Sequence, residues 1–410
     1  MSADRSPGSL LDRRLLVVTG KGGVGKTSIA AGLALMAARA GRRTLVCEVD
    51  AKGSLGVAFD AGPLAFKART VVPGLSAMAM NTEDSLREYL SVQLRVPLLA
   101  RIGPLARTFD FVASAAPGVR EILTIGKLCW EVRERHYDLV VVDAAASGHI
   151  VSQLGAAATI GQLVQVGPVR DQTRWMREIL EDPAVTGAVL VTTGEEMPIV
   201  ETIELARRLQ PESGVHVAAV IANRVWPEPF ARDEERVFRA LRTRAARAEL
   251  ARATGSPTAA TAGPGVGAVL DAAALAVELR RLQAGHLAHL ADEVRAMNVA
   301  RSASAETDAT SADATWAGVA SADATWAGVA SADATWADAT WAGVTSAGAT
   351  SAGAASAGVA SAGATSGSAA LGSAVGDGPL PLLYVPERFD RLGGLAATKL
   401  IADALAQEVE

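Results

Sequence analysis

The sequence is poor in cysteine and in aromatic residues, which limits the kinds of site it can hold. Of its 410 residues, two are cysteines, Cys47 and Cys129, and 4% are aromatic. No C-x-x-C spacing is present, so neither a structural zinc site nor a disulfide framework is indicated, and we expect two buried free thiols. Residues 1–12 are polar and lack the apolar core of a signal peptide, and no uncharged apolar run reaches about 18 residues. We therefore expect a cytoplasmic protein whose residues 1–12 form a flexible N-terminus.

Charge is unevenly distributed, and a basic surface is lacking. The formal net charge is −5, but residues 302–376 contain six acidic residues and neither lysine nor arginine, so the rest of the chain comes to +1. A nearly neutral folded part gives no sign of general affinity for nucleic acid, and we expect none.

The same segment consists of short repeats. Ser-Ala-Asp-Ala-Thr-Trp-Ala-Gly-Val-Ala begins at Ser311 and again at Ser321, and the repeat then degenerates into Ser-Ala-Gly-Ala units. A ten-residue period is also compatible with a small solenoid. Units with one large apolar residue each bury too little surface to offset the entropy of ordering, so we expect a disordered, low-complexity insertion at residues 301–377. Residues 378–410 are expected to complete the folded domain.

Apolar runs and helical patterns alternate along the remaining chain. Continuous apolar runs are typical of buried parallel strands. They are Leu15–Val18, Thr44–Val49, Leu75–Met80, Leu139–Val142, Ala188–Val191 and Val217–Ala222. Helical patterns include Thr27–Ala40, Pro198–Leu209, Phe230–Thr254, Leu270–Met297 and Leu392–Gln407. The alternation predicts an α/β fold with a doubly wound, mostly parallel sheet over residues 13–300, interrupted by a helical subdomain at residues 82–135.

A phosphate-binding loop follows the first predicted strand. Residues 20–27 read Gly-Lys-Gly-Gly-Val-Gly-Lys-Thr, which is the pattern G-x-x-x-x-G-K-[ST] in a strand-loop-helix setting. Its glycines allow backbone N–H groups to surround phosphate oxygens. The pattern predicts that Lys26 reaches the β- and γ-phosphates, that Thr27 binds Mg²⁺, and that the helix beginning near Ser28 adds its positive end. The predicted nucleotide ligands are Gly20, Lys21, Gly22, Gly23, Val24, Gly25, Lys26, Thr27 and Ser28.

Two aspartates follow other predicted strands. Asp50 ends the run Thr44–Val49, and Asp143 ends Leu139–Val142. The carboxyl ends of strands are where open α/β sheets bind ligands. We predict that Asp143 supports Mg²⁺ directly or through water, that Asp50 belongs to the same metal site and orients or deprotonates the attacking water, and that Gly148 offers an N–H to the γ-phosphate. With Lys21 and Lys26, these aspartates are the predicted catalytic residues.

The loop with its additional Lys21 resembles the deviant Walker A motif of the P-loop ATPases that include ParA, MinD, nitrogenase iron protein and the ArsA ATPases. Four further stretches are similar to the ArsA/Get branch, and most of all to actinobacterial ArsA-like ATPases. They are Tyr137–His149, similar to switch II; Glu195–Thr202; and Ile221–Val225, with the late segment Pro381–Pro386.

The resemblance implies an ATP-hydrolysing P-loop protein that closes as a dimer, either a homodimer or a heterodimer of paralogues. It implies that Lys21 crosses the dimer interface to the partner's nucleotide, that Asn223 reads adenine, and that the loop ending at Pro386 covers the base. It also leaves room for a hydrophobic client or a membrane protein as partner. Apolar positions in Leu86–Arg107 and Val119–Trp130 could line a groove for such a client, although packing of the helical subdomain against itself is the simpler interpretation.

The sequence also departs from the family pattern. Switch I reads Asp50-Ala-Lys-Gly-Ser54 where the family has Asp-Pro-Ala-His, and Ala146-Ser147 replace Pro-Thr in switch II. No cysteine cluster is present, and two isolated thiols cannot supply three sulfur ligands to arsenite, which disfavours arsenite export. The alternatives left open are a positioning switch of the ParA/MinD type, which binds nucleoid or membrane, and a pump subunit that energises anion transport.

Overall fold

The structure is a computed structural model, and it describes residues 10–50, 53–80, 85, 119–163, 168–255, 265–332, 379–387 and 393–409. Within these residues, contacts between Cα atoms group the chain into two compact units. One comprises Arg13–Val294 and Pro381–Glu410 and contains the sheet. The described part of the other comprises residues 10–12, 295–332 and 379–380.

The larger unit is built on one eight-stranded sheet. Its strands are β1 (Leu15–Gly20), β2 (Thr44–Glu48), β3 (Arg69–Val72), β4 (Leu75–Ala79), β5 (Leu139–Ala146), β6 (Thr186–Thr193), β7 (Val217–Val225) and β8 (Leu382–Pro386). They are ordered β3-β4-β2-β5-β1-β6-β7-β8. Only β3 runs antiparallel to its neighbour, so the predicted α/β fold with a mostly parallel sheet is confirmed.

All six apolar runs form strands, and they are β1, β2, β4, β5, β6 and β7. The structure adds two edge strands that the sequence analysis missed. Strand β3 is short and begins with two exposed residues, so it has no apolar run. Strand β8 lies among prolines and was interpreted as a loop, but proline is tolerated on an edge strand such as this one.

Ten helices are described. They are α1 (Lys26–Arg39), α2 (Ser54–Ala58), α3 (Val119–Arg133), α4 (Ser147–Leu163), α5 (Pro168–Glu181), α6 (Glu196–Ser213), α7 (Arg232–Leu241), α8 (Arg244–Ala253), α9 (Val266–Ala332) and α10 (Gly394–Val409). A short 3₁₀ turn, Leu10–Asp12, precedes β1. The small residues of α1 allow α10 to pack closely, because a Cβ added at Gly32 would lie 2.6 Å from Ile401 Cγ2. The C-terminal segment is therefore part of the sheet domain, both through β8 and through α10.

The helical subdomain predicted at residues 82–135 is described mainly through α3. Its apolar residues Leu123, Ile125 and Leu128 are at most 5% exposed. This part of the predicted client groove therefore packs in the interior, and the remaining part, residues 86–107, lies outside the described residues. Both cysteines are buried free thiols, as predicted, and burial raises the pKa of each.

Helix α9 ends much later than the predicted Met297. It continues to Ala332 and so includes the first part of the segment for which the sequence analysis expects disorder. Alanine, which is abundant there, has the highest intrinsic helix propensity. Residues 333–377, the larger part of that segment, lie outside the described residues. Among the helices that the structure describes, none combines the length and apolar character that a bilayer span requires.

Candidate nucleotide site

The phosphate-loop residues lie at the carboxyl edge of the sheet, between its central strands. Strand β1 is flanked by β5 and β6, and it runs straight into the loop at Gly20. Val18 of β1 is in register with Asp143 of β5, and Asp143 is in register with Glu48 of β2. The topology thus brings Asp143 next to the loop, at the edge where an open parallel sheet binds its ligands.

Two glycines of the loop are required by close packing. A Cβ at Gly20 would lie 2.1 Å from the carbonyl oxygen of Val191 on β6. A Cβ at Gly25 would lie 2.3 Å from Nδ2 of Asn223 on β7, and φ of Gly25 is +92°, which is in the left-handed region. By contrast, no atom of the described residues lies within 4 Å of a Cβ added at Gly22 or Gly23, so among these residues this side of the loop is open. The loop is fixed against the sheet on one side and open on the other.

Lys26 and the start of α1 concentrate positive potential on that open side. The Lys26 ammonium donates to the carbonyl oxygen of Lys21 at 3.1 Å and so spans the loop. Helix α1 begins after Gly25 without a hydrogen bond from a capping side chain. The first N–H groups of a helix have no partner within the helix, so an uncapped N-terminus favours an anion. These features suit a phosphate group.

Thr27 and Asp143 meet beneath the loop. The Thr27 hydroxyl donates to Oδ2 of Asp143 at 2.6 Å, and Asp143 is 5% exposed. Burial raises the pKa of Asp143 to about 6; Glu48 and Asp50 act in the same direction, while the Thr27 hydrogen bond and the Lys26 charge oppose it. A carboxylate that is costly to ionise gains from a nearby cation, because the cation stabilises its charged form.

The donor set fits Mg²⁺. A hydroxyl and a carboxylate are hard oxygen ligands, and Mg²⁺ in nucleotide sites is held by one or two protein oxygens together with phosphate and water. Among the described residues there is no group of three or more His, Cys, Asp or Glu side chains that could hold a metal without such help. Thr27 and Asp143 would therefore hold the ion jointly with the nucleotide.

Lys21, the additional lysine, forms an ion pair with a residue that the sequence analysis did not single out. Its Nζ lies 2.6 Å from Oε1 of Glu201 on α6. Glu201 lies within the stretch Glu195–Thr202 that carries the family resemblance, but nothing in that stretch indicated which side chain reaches the loop.

Asn223 contacts the loop directly. Its amide donates to the carbonyl oxygen of Val24 at 2.9 Å, and the side chain is 6% exposed. Gln283 of α9 fixes the end of the same strand, because its side chain accepts from the N–H of Trp226 and donates to the carbonyl oxygen of Arg224. The contact seen here holds the phosphate loop; the assignment of Asn223 to adenine stays a prediction.

The other predicted residues lie at the same edge of the sheet. Asp50 is exposed in the turn after β2, and the preceding Val49 donates its N–H to the carbonyl oxygen of Asp143 at 3.1 Å. Gly148 is exposed as the second residue of α4, which begins directly after β5. Pro386 ends β8, in register with Val225 of β7 and so two residues from Asn223. Their roles toward a nucleotide stay predictions.

Three side chains of this region, Glu48, Glu201 and Gln283, were not among the residues predicted from the sequence. For Glu48 a signal was present, because it is a charged residue at the end of an otherwise apolar strand. The other two lie on helices whose placement over the loop and the strand ends depends on the fold.

Comparison with known proteins is consistent with this geometry. The family model of anion-transporting ATPases matches residues 13–168 and 162–248. The ATPase BagA of Mycobacterium tuberculosis is 33% identical over 232 residues, which is 54% of this chain and 68% of that protein. ATPase GET3 of Chaetomium globosum is 30% identical over 174 residues, 39% of this chain and 51% of its own length. The arsenical pump-driving ATPase of Acidiphilium multivorum is 29% identical over 237 residues, 52% of this chain and 40% of its own.

Proposed function

Because the chain belongs to the ArsA/Get family of anion-transporting ATPases, we propose that it is a Mg²⁺-dependent, dimerising ATPase whose nucleotide cycle drives the handling of a client or a transport partner. The observation that carries the proposal is the 2.6 Å hydrogen bond between Thr27 Oγ1 and Asp143 Oδ2. It joins the phosphate loop to the acidic strand end, which is the arrangement that holds a metal beside the phosphates in P-loop enzymes.

Each residue of the site has a part in this proposal. The N–H groups of residues 20–28 bind phosphate oxygens, and Lys26 neutralises charge on the β- and γ-phosphates. Thr27 and Asp143 hold Mg²⁺, which supplies further charge stabilisation when bound. Asp50 orients the water that attacks the γ-phosphorus, and Gly148 donates its N–H to the γ-phosphate. Asn223 and the segment that ends at Pro386 contact the base.

Dimerisation rests on Lys21. The lysine is partly exposed beside the open side of the loop, so a second copy facing that side brings its nucleotide within the lysine's reach. Two exposed apolar residues of α6, Met197 and Val200, lie close in sequence to Glu201 and would add apolar contact to such an interface. Closing on ATP and opening after hydrolysis then couples the γ-phosphate to the separation of two chains.

The main proposal and its alternative, a positioning switch of the ParA/MinD type, differ in what the ATPase cycle drives. GET3 and arsenical pump-driving ATPases are among the relatives, which favours client handling or a transport partner over the positioning of nucleoid or membrane. Arsenite remains a disfavoured substrate, because both thiols are buried with raised pKa values and two thiols cannot supply three sulfur ligands.

The test is to measure phosphate release and nucleotide binding for the parent and two lysine variants. Lys26→Ala is expected to lose turnover and most of the ATP affinity. Lys21→Ala is expected to lose turnover while its affinity for ATP stays within about 3-fold, a difference of under about 1 kcal/mol. Lys399→Ala, an exposed lysine of α10, is the control and should behave as the parent.

Three further outcomes test dimerisation, the dependence on Mg²⁺ and the role of Lys21. Light scattering should show a dimer with Mg²⁺ and ATP and a smaller species without them. Removal of Mg²⁺ with EDTA should abolish turnover. A Lys21→Ala protein that hydrolyses ATP at the parental rate would contradict the dimer mechanism while leaving ATP binding intact.

A further inference from the structure

Glu48 is a buried carboxylate at the end of β2 that the proposed mechanism does not use. Only 2% of its surface is exposed. Burying a carboxylate is costly unless hydrogen bonds replace its water. Here Oε2 accepts the N–H of Gly53 at 3.2 Å, and Oε1 accepts the N–H of Ser54 at 2.9 Å. The side chain therefore turns back toward the backbone that follows its own strand.

These two bonds restrain the loop that carries Asp50. On one side of Asp50, Val49 is bonded to the carbonyl oxygen of Asp143. On the other side, Gly53 and Ser54 are bonded to Glu48. Gly53 has a φ of +79°, a left-handed conformation that glycine adopts without strain. The backbone is thus tied to the sheet both before and after Asp50.

The restraint continues beyond the loop. Ser54 begins α2, and the carbonyl oxygen of Ala58 at the end of α2 accepts the hydroxyl of Thr398 on α10 at 2.7 Å. Glu48 itself is in register with Asp143, the proposed metal ligand. One buried side chain therefore connects the strand end beside the metal site to the loop that carries the proposed water-orienting aspartate.

We infer that Glu48 is a positioning residue for ATP hydrolysis: by holding the N–H groups of Gly53 and Ser54 it fixes the backbone on which Asp50 is placed. The inference rests on the proposed function. Glu48 acts through Asp50, and its described hydrogen bonds go to the loop after β2 and not to the phosphate loop. Its loss should therefore impair turnover much more than nucleotide binding.

The variants follow from the two hydrogen bonds. Glu48→Ala removes both acceptors and frees the loop. Glu48→Gln keeps the length of the side chain and one carbonyl oxygen, so it can accept one of the two N–H groups while its NH₂ group faces the other. The kcat of Glu48→Gln should therefore lie between those of the parent and Glu48→Ala.

The experiment measures kcat, KM and the Kd for ATP of the full chain with Mg²⁺. A misplacement of about 1 Å in a positioned group costs on the order of 100-fold in rate, so we expect kcat to fall about 10- to 100-fold in Glu48→Ala and less in Glu48→Gln. KM and Kd should stay within about 3-fold of the parent, under about 1 kcal/mol. Hydrogen exchange should increase at the amides of Gly53 and Ser54 and not in the phosphate loop.

Glu131→Gln is the matched control, because Glu131 is also buried, at 7% exposure, but pairs with Lys127 and His136 instead of the loop. It should retain the parental kcat. If the parent hydrolyses ATP and Glu48→Ala has the same kcat as the parent, the inference is overturned. If the alanine variant fails to fold, Glu48→Gln takes its place in this comparison. A parent without activity would instead overturn the proposed function. A parallel loss of kcat in Glu131→Gln would also overturn the inference, since general destabilisation would then explain both.

Discussion

Lys21 Nζ and Glu201 Oε1 lie 2.6 Å apart and join the phosphate loop to α6 within one chain. The two side chains are 31% and 33% exposed, so solvent screens the pair and its net contribution to stability is about 1 kcal/mol or less. Its main effect is on geometry, because a lysine side chain has many rotamers and the carboxylate selects among them. The ion pair therefore determines where the Lys21 ammonium lies before a second copy binds.

The first prediction concerns this pair. Glu201→Gln should lower turnover by about 3- to 10-fold while the Kd for ATP stays near that of the parent, because Lys21 loses its fixed position. Since Glu201 acts through Lys21, the residual turnover of the double variant Lys21→Ala/Glu201→Gln should be no lower than that of Lys21→Ala alone. Steady-state kinetics of the four proteins measures the coupling. Additive losses in the double variant would show that Glu201 acts independently of Lys21.

The second prediction concerns the hydrogen bond by which Asn223 of β7 contacts the phosphate loop. Asn223→Ala leaves the carbonyl oxygen of Val24 without its donor in a buried position, which costs about 1 to 3 kcal/mol. The melting temperature of the nucleotide-free protein should fall, and ATP affinity should fall with it because the loop is no longer held. Asn223→Asp should lower both the melting temperature and the ATP affinity further, because it places a carboxylate, which is also an acceptor, against the carbonyl oxygen of Val24. An Asn223→Ala protein that melts and binds ATP as the parent does would contradict a role in holding the loop.

The third prediction is a pH dependence of stability that arises at Asp143. Its pKa in the folded, metal-free protein is raised by burial to about 6, whereas an unfolded aspartate titrates near 3.9. Between these values the folded state binds the proton that the unfolded state releases. The free energy of unfolding therefore decreases as the pH rises, until Asp143 is ionised in both states above about pH 7. Asp143→Asn removes this effect, so its stability advantage over the parent should be about 1 kcal/mol larger at pH 7.5 than at pH 5.

Denaturant titrations in EDTA at the two pH values measure that difference. Asp138→Asn is a control of opposite sign, because hydrogen bonds from Arg43 lower the pKa of Asp138. A lowered pKa contributes stability at neutral pH that is lost as the pH falls, so Asp138→Asn should be less stable than the parent at pH 7.5. An advantage of Asp143→Asn that is the same at both pH values would contradict the assignment.

The fourth prediction concerns the repeat segment. The Asn298 amide donates to the carbonyl oxygen of Leu380 at 3.2 Å and accepts its N–H at 2.5 Å, so the chain before and after the repeats is already held together. A short Gly/Ser linker in place of residues 303–377 should therefore close without strain, since the entropic cost of a loop changes slowly with its length. The melting temperature should stay within about 3 °C of the parent, under about 1 kcal/mol for a domain of this size. A larger decrease would show that the repeats stabilise the fold.

Much of the fold could be predicted from the sequence because the signals are local. Six apolar runs indicated six of the eight strands, since a strand buried on both faces must be apolar throughout. The edge strands β3 and β8 were missed because an edge strand needs neither a continuous apolar run nor freedom from proline. The C-terminal limit of α9 was also missed, because weakly apolar, alanine-rich repeats carry no clear helix-ending signal.

In the candidate site, too, some features could be predicted from the sequence and others could not. Glycine spacing and the position of Asp143 after an apolar run singled out Thr27 and Asp143, and the structure shows that these two side chains are hydrogen-bonded. The partners of Lys21 and Asn223 lie 180 and 199 residues away, and no local pattern identifies them. Glu48 was visible only as a charge in an apolar strand, and its orientation toward Gly53 and Ser54 could not be read from that.

The sequence by itself thus determined the phosphate loop, the central strands and the acids at their ends, because glycine conformation and strand burial are properties of neighbouring residues. Only the tertiary structure decided which side chains restrain that loop. The order of the strands places β7 near β1, and the packing of α6 places Glu201 at Lys21. Such contacts depend on where distant segments meet, and they hold the phosphate loop and its Lys21, on which the proposed hydrolysis depends.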